Sequence, residues 1–220
     1  MVKTRRRSST PRRSPSHRAA PAIAVLCSGQ GTNLQAILDA TRRGTLRARV
    51  AVVISDRADA KALDRAARAG VEACYLNPKA FADKAAYERA LIRRCQAHRV
   101  RLVCLAGFMR ILSPVFVRRF RNRILNIHPA LLPAFPGAHA VRDALAWGAK
   151  VTGVTVHVVD EHIDHGPIVL QEAVPVRPNE REAHLLARIH AVEHRLYPRA
   201  IALVLGRRVR VSGRNVIGRT

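Results

Sequence analysis

The segment LNIHPALLPAFPG, residues 125–137, sets Asn126 and His128 two apart at the end of a strand-like apolar run. Pro129, Pro133 and Pro136 then restrict the following loop, because each fixes its own φ. A carboxamide N–H and a protonated imidazole can both donate to an oxygen that gains charge as a carbonyl carbon is attacked. A carboxylate beside the imidazole orients it and favours its charged form. Asp164, in the loop EHIDHGP between two strand-like segments, is the candidate for that role. Such a trio suits attack on a carbonyl by a nucleophile that the substrate supplies. No serine or cysteine sits in a nucleophile-elbow context, so a covalent enzyme intermediate is not expected. Taken singly, each residue has a plainer reading: His128 is one of ten histidines, and an aspartate before His-Gly-Pro is ordinary turn chemistry.

A second group lies in SGQGTN, residues 28–33. Gly29 and Gly31 let backbone amides approach an anion, and a helix N-terminus behind them favours negative charge. The loop is a poor dinucleotide fingerprint, since Leu34 stands where a third glycine is needed, and no Gly-Lys-Ser/Thr of a Walker loop follows. Thr32 and Asn33 offer a hydroxyl and an amide to a phosphate monoester. A tight turn ahead of a Thr or Asn helix cap explains the same residues, and the loop alone does not decide between the two.

These residues must be positioned by the elements around them. The apolar runs 22–28, 49–56, 71–76 and 101–108 have strand length. Between them, 33–44, 58–70 and 80–100 carry helical periodicity. Strand and helix in alternation imply an α/β fold with a mostly parallel twisted sheet and helices on both faces, whose ligands bind beyond the carboxyl ends of the strands. The C-terminal half departs from that rhythm. Segments 151–160 and 167–176 form two strands around EHIDHG, an antiparallel or irregular part. Residues 179–206 form a closing helix that Pro198 is expected to kink or divide.

The 220 residues suffice for one domain, and 48% are hydrophobic while only 4% are aromatic, so the core must be built from aliphatic side chains. No apolar run reaches the roughly 18 residues of a membrane span. The net charge is +24 and is concentrated at the ends. Residues 1–20 carry seven Lys/Arg and no acid, with too little apolar surface to offset ordering entropy, so they are expected to be a disordered basic tail. Residues 21–206 then form a single catalytic domain, and 207–220 a basic C-terminal tail. The tails are open to three readings: a nucleic-acid arm, a transit peptide without an apolar helical face, or a solvated segment. Cys27, Cys74, Cys95 and Cys104 lack metal-ligand spacing, which points to free thiols in a reducing compartment and to no metal.

Five blocks together carry a more specific signal: SGQGTNLQAIL (28–38), LAGFMRILSP (105–114), LNIHPALLPAFPGAHA (125–140), TVHVVDEHIDHGPIVLQEAVPV (155–176) and AVEHRLYPRAI (191–201). In order and spacing they resemble the phosphoribosylglycinamide formyltransferase family over about residues 22–205. The resemblance implies a Rossmann-like formyltransferase fold. It also implies transfer of a formyl group from 10-formyltetrahydrofolate, as co-substrate, to the amine of glycinamide ribonucleotide in purine synthesis. By the same resemblance Asn126 and His128 polarise the formyl carbonyl, and Asp164 supports the charged histidine. Gly31, Thr32, Asn33 and Glu193 hold the ribonucleotide. The folate lies along Met109, Arg110, Ile111 and Leu112, Asn126, and the loop Asp160, Glu161, His162, Ile163 and Asp164, with Lys84 as a basic residue nearby. The partners implied are these two small molecules, with no membrane, no expected nucleic-acid contact and a cytoplasmic location.

His162 and His165 depart from the family pattern, which often has a small residue after the aspartate; a solvated surface role is expected for both. The Arg-rich N-terminal extension has no counterpart in the family core. Methionyl-tRNA formyltransferase shares the donor and the Asn-x-His-Pro chemistry, but carries an Arg-Gly-Ala-type segment where this chain has FPGAHA (135–140). A non-catalytic phosphate- or RNA-binding module would suit the basic ends, yet leaves the Asn/His/Asp trio idle and lacks the aromatics that stack bases.

Overall fold

A computed structural model describes residues 19–218. The expected disorder of the basic N-terminal tail lies almost wholly outside them. Five parallel strands open the chain: β1 (Ala22–Cys27), β2 (Arg49–Ser55), β3 (Glu72–Tyr75), β4 (Leu102–Leu105) and β5 (Ile124–His128). Antiparallel β6 (Val151–Val158) and β7 (Ile168–Pro175) complete a seven-stranded sheet in the order β3-β2-β1-β4-β5-β6-β7. The helices are α1 (Thr32–Arg42), α2 (Lys61–Arg68), α3 (Lys84–Ala97), α4 (Pro114–Arg119), α5 (Ala140–Ala146) and α6 (Glu182–Leu205).

Side chains alternate across a strand, and here both faces are covered, which is why the strands read as unbroken apolar runs. In β1, Ile23, Val25 and Cys27 pack with Leu34 and Ile37 of α1, Ala62 and Ala66 of α2, Val141 of α5, and Ile189, Leu196 and Ile201 of α6. Ala24 and Leu26 face the opposite layer, with Tyr87 and Leu91 of α3 and Phe116 of α4. Tyr197, fully buried in α6, ties that helix to the sheet: its single hydroxyl proton is shared between the carbonyl oxygens of Leu105 and Leu125, at 2.8 and 2.9 Å.

Several elements differ from the sequence reading. The 80–100 helix is shorter, because Pro78–Ala80 makes a separate 3₁₀ turn and Asp83 caps α3 by accepting from the Ala86 N–H at 2.6 Å. Pro198 does not divide the last helix; α6 runs through it, held by buried Leu196, Tyr197, Ala200 and Ile201 around the lost hydrogen bond. The helices α4 and α5, of six and seven residues, are too short to show a periodicity. The C-terminal segment read as a basic tail contains a hairpin, β8 (Val209–Ser212) and β9 (Asn215–Gly218). Its two-residue turn opens on Gly213 at φ 59°, a left-handed conformation that glycine takes without strain.

Candidate active site

Asn126 and His128, two apart on β5, point to the same face of the sheet. Beside Asn126 on the antiparallel neighbour is His157, which the sequence reading passed over. The β6–β7 loop brings the carboxylate to them. Gly166 packs so tightly on the end of β6 that an added Cβ would lie 1.8 Å from the Val158 carbonyl oxygen. The Val158 N–H donates to the Pro167 carbonyl at 2.8 Å and closes the loop, and Asp164 sits within it at φ 48°.

Asp164 is the hub of the cluster. Its Oδ2 accepts from the Gly137 backbone N–H at 2.8 Å and lies 3.4 Å from Nδ1 of His128. Its Oδ1 accepts from Asn126 Nδ2 at 3.3 Å and lies 3.6 Å from Nε2 of His157. The same Asn126 amide lies 3.2 Å from His157 Nε2, and His157 Nδ1 lies 3.1 Å from the Val158 carbonyl. Since that carbonyl only accepts, His157 carries its proton on Nδ1 and accepts from Asn126 through Nε2. Burial raises the Asp164 pKa, but the close approach of His157, the hydrogen bond from the Gly137 N–H and the nearby His128 outweigh it and hold the carboxyl below its ordinary range.

His128 requires a correction to the expected charge. Its Nε2 lies 2.8 Å from the Phe135 carbonyl oxygen, so that nitrogen bears the proton. Burial pushes the His128 pKa down, and this outweighs the opposing pull of Asp164 and the Phe135 carbonyl. The ring therefore rests neutral, with Nδ1 facing Asp164 as the place for a second proton.

The glycine loop forms the turn into α1. Gly31 is the residue before α1 at φ 70°, and a Cβ there would lie 2.7 Å from Cβ and 2.8 Å from Cα of Ala62 in α2. Gly31→Ala is expected to destabilise the fold by roughly 2–4 kcal/mol, from left-handed strain plus overpacking, read as a lower denaturant midpoint at unchanged slope. Asn33 is buried and donates from Nδ2 to Oε2 of Glu193 at 2.8 Å, joining residues 160 positions apart. Burial pushes the Glu193 carboxyl up to about 7 against that hydrogen bond. Thr32 lines a pocket of about 350 Å³ together with Arg65 and His194, two basic residues that the sequence reading missed; burial and the nearby Arg65 push the His194 pKa down. Arg65 donates to the Gln30 carbonyl at 2.8 Å, and His194 Nε2 is buried without a partner among the described residues.

The segment after β4 returns to the same carboxyl edge. The Met109 N–H donates to Ser28 Oγ at 2.9 Å, and Ser28 donates to Asp56 at 2.6 Å. Arg110 lies 3.8 Å from Asp56 and 5.5 Å from the Tyr87 ring centroid, while Leu112 is buried. Met109, Ile111 and Ile163 are 70, 63 and 56% exposed, large apolar side chains left open where an apolar ligand would cover them. Asp160 accepts from the His162 N–H at 3.0 Å, and its other oxygen lies 2.7 Å from His165 Nδ1. His165 is not merely solvated: Arg214, from the C-terminal hairpin, donates to its carbonyl at 2.8 Å and to its Nε2 at 2.7 Å. Glu161 and His162 are exposed. Lys84 opens α3 with an exposed side chain and bonds to none of the other candidates among the described residues.

Residues 22–201 match the formyl transferase family. The chain belongs to that family. Phosphoribosylglycinamide formyltransferase of Escherichia coli (strain K12) is 45% identical over 180 residues, 82% of this chain and 85% of that protein. The trifunctional purine biosynthetic protein adenosine-3 of Drosophila melanogaster is 48% identical over 185 residues; these are 83% of this chain, which spans only 14% of the longer protein. Among solved structures, glycinamide ribonucleotide transformylase 1 from Symbiobacterium toebii superposes with a TM-score of 0.89 at 54% identity, covering 91% of this chain and 94% of that one. Within this formyl transferase chain the hairpin β8–β9 lies beyond the matched region.

Proposed function

We propose that the chain transfers a formyl group from 10-formyltetrahydrofolate to the amine of 5′-phosphoribosylglycinamide, giving formylglycinamide ribonucleotide and tetrahydrofolate in purine biosynthesis. The observation that carries this reading is the convergence of Asn126, His128 and His157 on the single carboxylate of Asp164. The fully named relatives above supply the substrate class.

In this reading the ribonucleotide phosphate meets the backbone N–H groups of Gly31, Thr32 and Asn33 at the start of α1, with Arg65 adding positive charge beside them. The folate covers Met109, Ile111 and Ile163. The neutral amine attacks the formyl carbon, a C–N bond forms, and the carbonyl oxygen becomes an oxyanion. The Asn126 amide nitrogen contacts both His157 and Asp164, and the 3.3 Å contact to Asp164 is the longer of the two. The substrate oxygen takes over that donor. His128, neutral at rest, accepts the proton that the amine loses, and Asp164 stabilises the resulting imidazolium. The bond to the folate nitrogen then breaks, and that nitrogen leaves with the returned proton. No proton is gained or lost overall.

The test is a formyl-transfer assay on the purified chain, with and without residues 1–20. Folate product that forms only when both glycinamide ribonucleotide and the formyl donor are present supports the reading. Turnover that depends instead on aminoacylated tRNA refutes it in favour of a methionyl-tRNA formyltransferase. The four free cysteines suit action in the reducing cytoplasm.

A further inference from the structure

A cleft of about 1050 Å³ opens at the amino edge of the sheet, the edge away from the candidate active site. Pro21 leads through it into β1, Arg47 precedes β2, and Arg101 immediately precedes β4. Arg199 and Leu203 reach it from the last turns of α6, and Arg208 from the chain just beyond. The cleft is thus lined by four exposed arginines from four separate stretches of chain, and by no acidic or aromatic residue.

Several other arginines are held in ion pairs: Arg57 with Asp59, Arg94 with Glu72, Arg188 with Glu180 and Arg195 with Glu172. Among the described residues, Arg47, Arg101, Arg199 and Arg208 form no side-chain hydrogen bond or ion pair. Neutralising the negative end of α6 does not occupy them. The carbonyls of Ala202, Leu203 and Val204 already accept from the backbone N–H groups of Gly206, Arg208 and Arg207. Four like charges converging on one concavity repel each other until an anion enters, and the guanidinium fork matches phosphate oxygens in pairs.

We propose that this cleft binds a small anion carrying several phosphate groups, at a site separate from the ribonucleotide pocket. Its volume lies near the upper end of small-ligand pockets, roughly 300–1,000 Å³. With no aromatic wall to stack a base, recognition falls on the phosphates themselves. The six residues of β1 separate the two edges by a strand length of about 20 Å, so both sites can be filled at once.

The probe is inorganic tripolyphosphate, titrated calorimetrically into the full chain saturated with glycinamide ribonucleotide. One-to-one binding is expected. It should weaken roughly 30-fold or more in Arg47→Ala/Arg199→Ala, as loss of two charge-assisted contacts implies. A charge-matched control, Arg89→Ala/Arg93→Ala on the exposed side of α3, should keep its affinity, as should the chain lacking residues 1–18. Equal weakening in both double variants would overturn the proposal by making attraction a property of the overall charge. So would loss of binding on removing residues 1–18 alone, or binding of the probe that occurs only when the ribonucleotide is left out. Binding of a single-stranded oligonucleotide that needs Arg47 and Arg199, without binding of tripolyphosphate, would overturn the small-ligand assignment.

Discussion

Asn126→Ala is expected to lower kcat by about 10²–10³-fold, the usual effect of deleting one oxyanion donor in a preorganised site. Its amide is a neutral donor at the centre of the cluster, held between His157 on one side and Asp164 on the other. The same change should leave the KM for the ribonucleotide within a few-fold. The glycine loop proposed to hold the phosphate is positioned by Ala62 and Glu193, neither of which touches Asn126. Steady-state kinetics on the purified variant decide the matter, and near-normal turnover would remove Asn126 from the reaction.

Asp164→Asn is expected to be at least as damaging, with turnover reduced about 10³-fold or more, as when the carboxylate partner of a catalytic histidine is neutralised. The carboxylate accepts on both oxygens, from Gly137 and from Asn126. An asparagine has one acceptor and one donor, so in either orientation its NH₂ confronts another N–H. The variant also leaves the second proton on His128 without a counter-charge. A stability signature accompanies the loss of rate. The folded-state pKa of Asp164 is depressed, so its contribution to stability is present above the unfolded carboxylate pKa and disappears as pH falls through the folded value. Thermal melts of Asp164→Asn should therefore fall below those of the parent at neutral pH and converge with them in acid. Parallel curves across that range would show that the carboxylate is not held by the cluster.

Much of the site was legible because its parts carry local chemical signatures. Asn126 and His128 are two residues apart on one strand, a distance that backbone geometry sets without help. Gly31 ahead of a helix is likewise a local pattern, although the reason no other side chain fits is Ala62, 31 positions away. His157 was not legible. It lies within an apolar strand and becomes part of the cluster only through the antiparallel register that pairs it with Asn126. Arg65 and His194 escaped for a similar reason: helix surfaces are full of basic residues, and only packing shows which two border the loop at Thr32.

The C-terminal hairpin is a case where composition misled. Fourteen residues rich in arginine look like a solvated tail, yet Gly213 turns the chain back and Arg214 is carried onto His165. The charge of His128 is another. A neighbouring carboxylate argues for the imidazolium, but how deeply the ring is buried is a property of the packed fold, and burial wins.

The amino-acid order by itself determined the alternation of apolar strands and amphipathic helices, and with it a mostly parallel sheet whose candidate site residues gather at one edge. Those features depend on periodicities of a few residues, which propensity and patterning specify locally. Only the tertiary structure decided that Asp164 meets Asn126, His128 and His157, that Glu193 is joined to Asn33, and that four unpaired arginines share one cleft. Most of these contacts join side chains tens of positions apart or more. Their distances follow from strand register, loop closure and burial, none of which a short window of sequence contains.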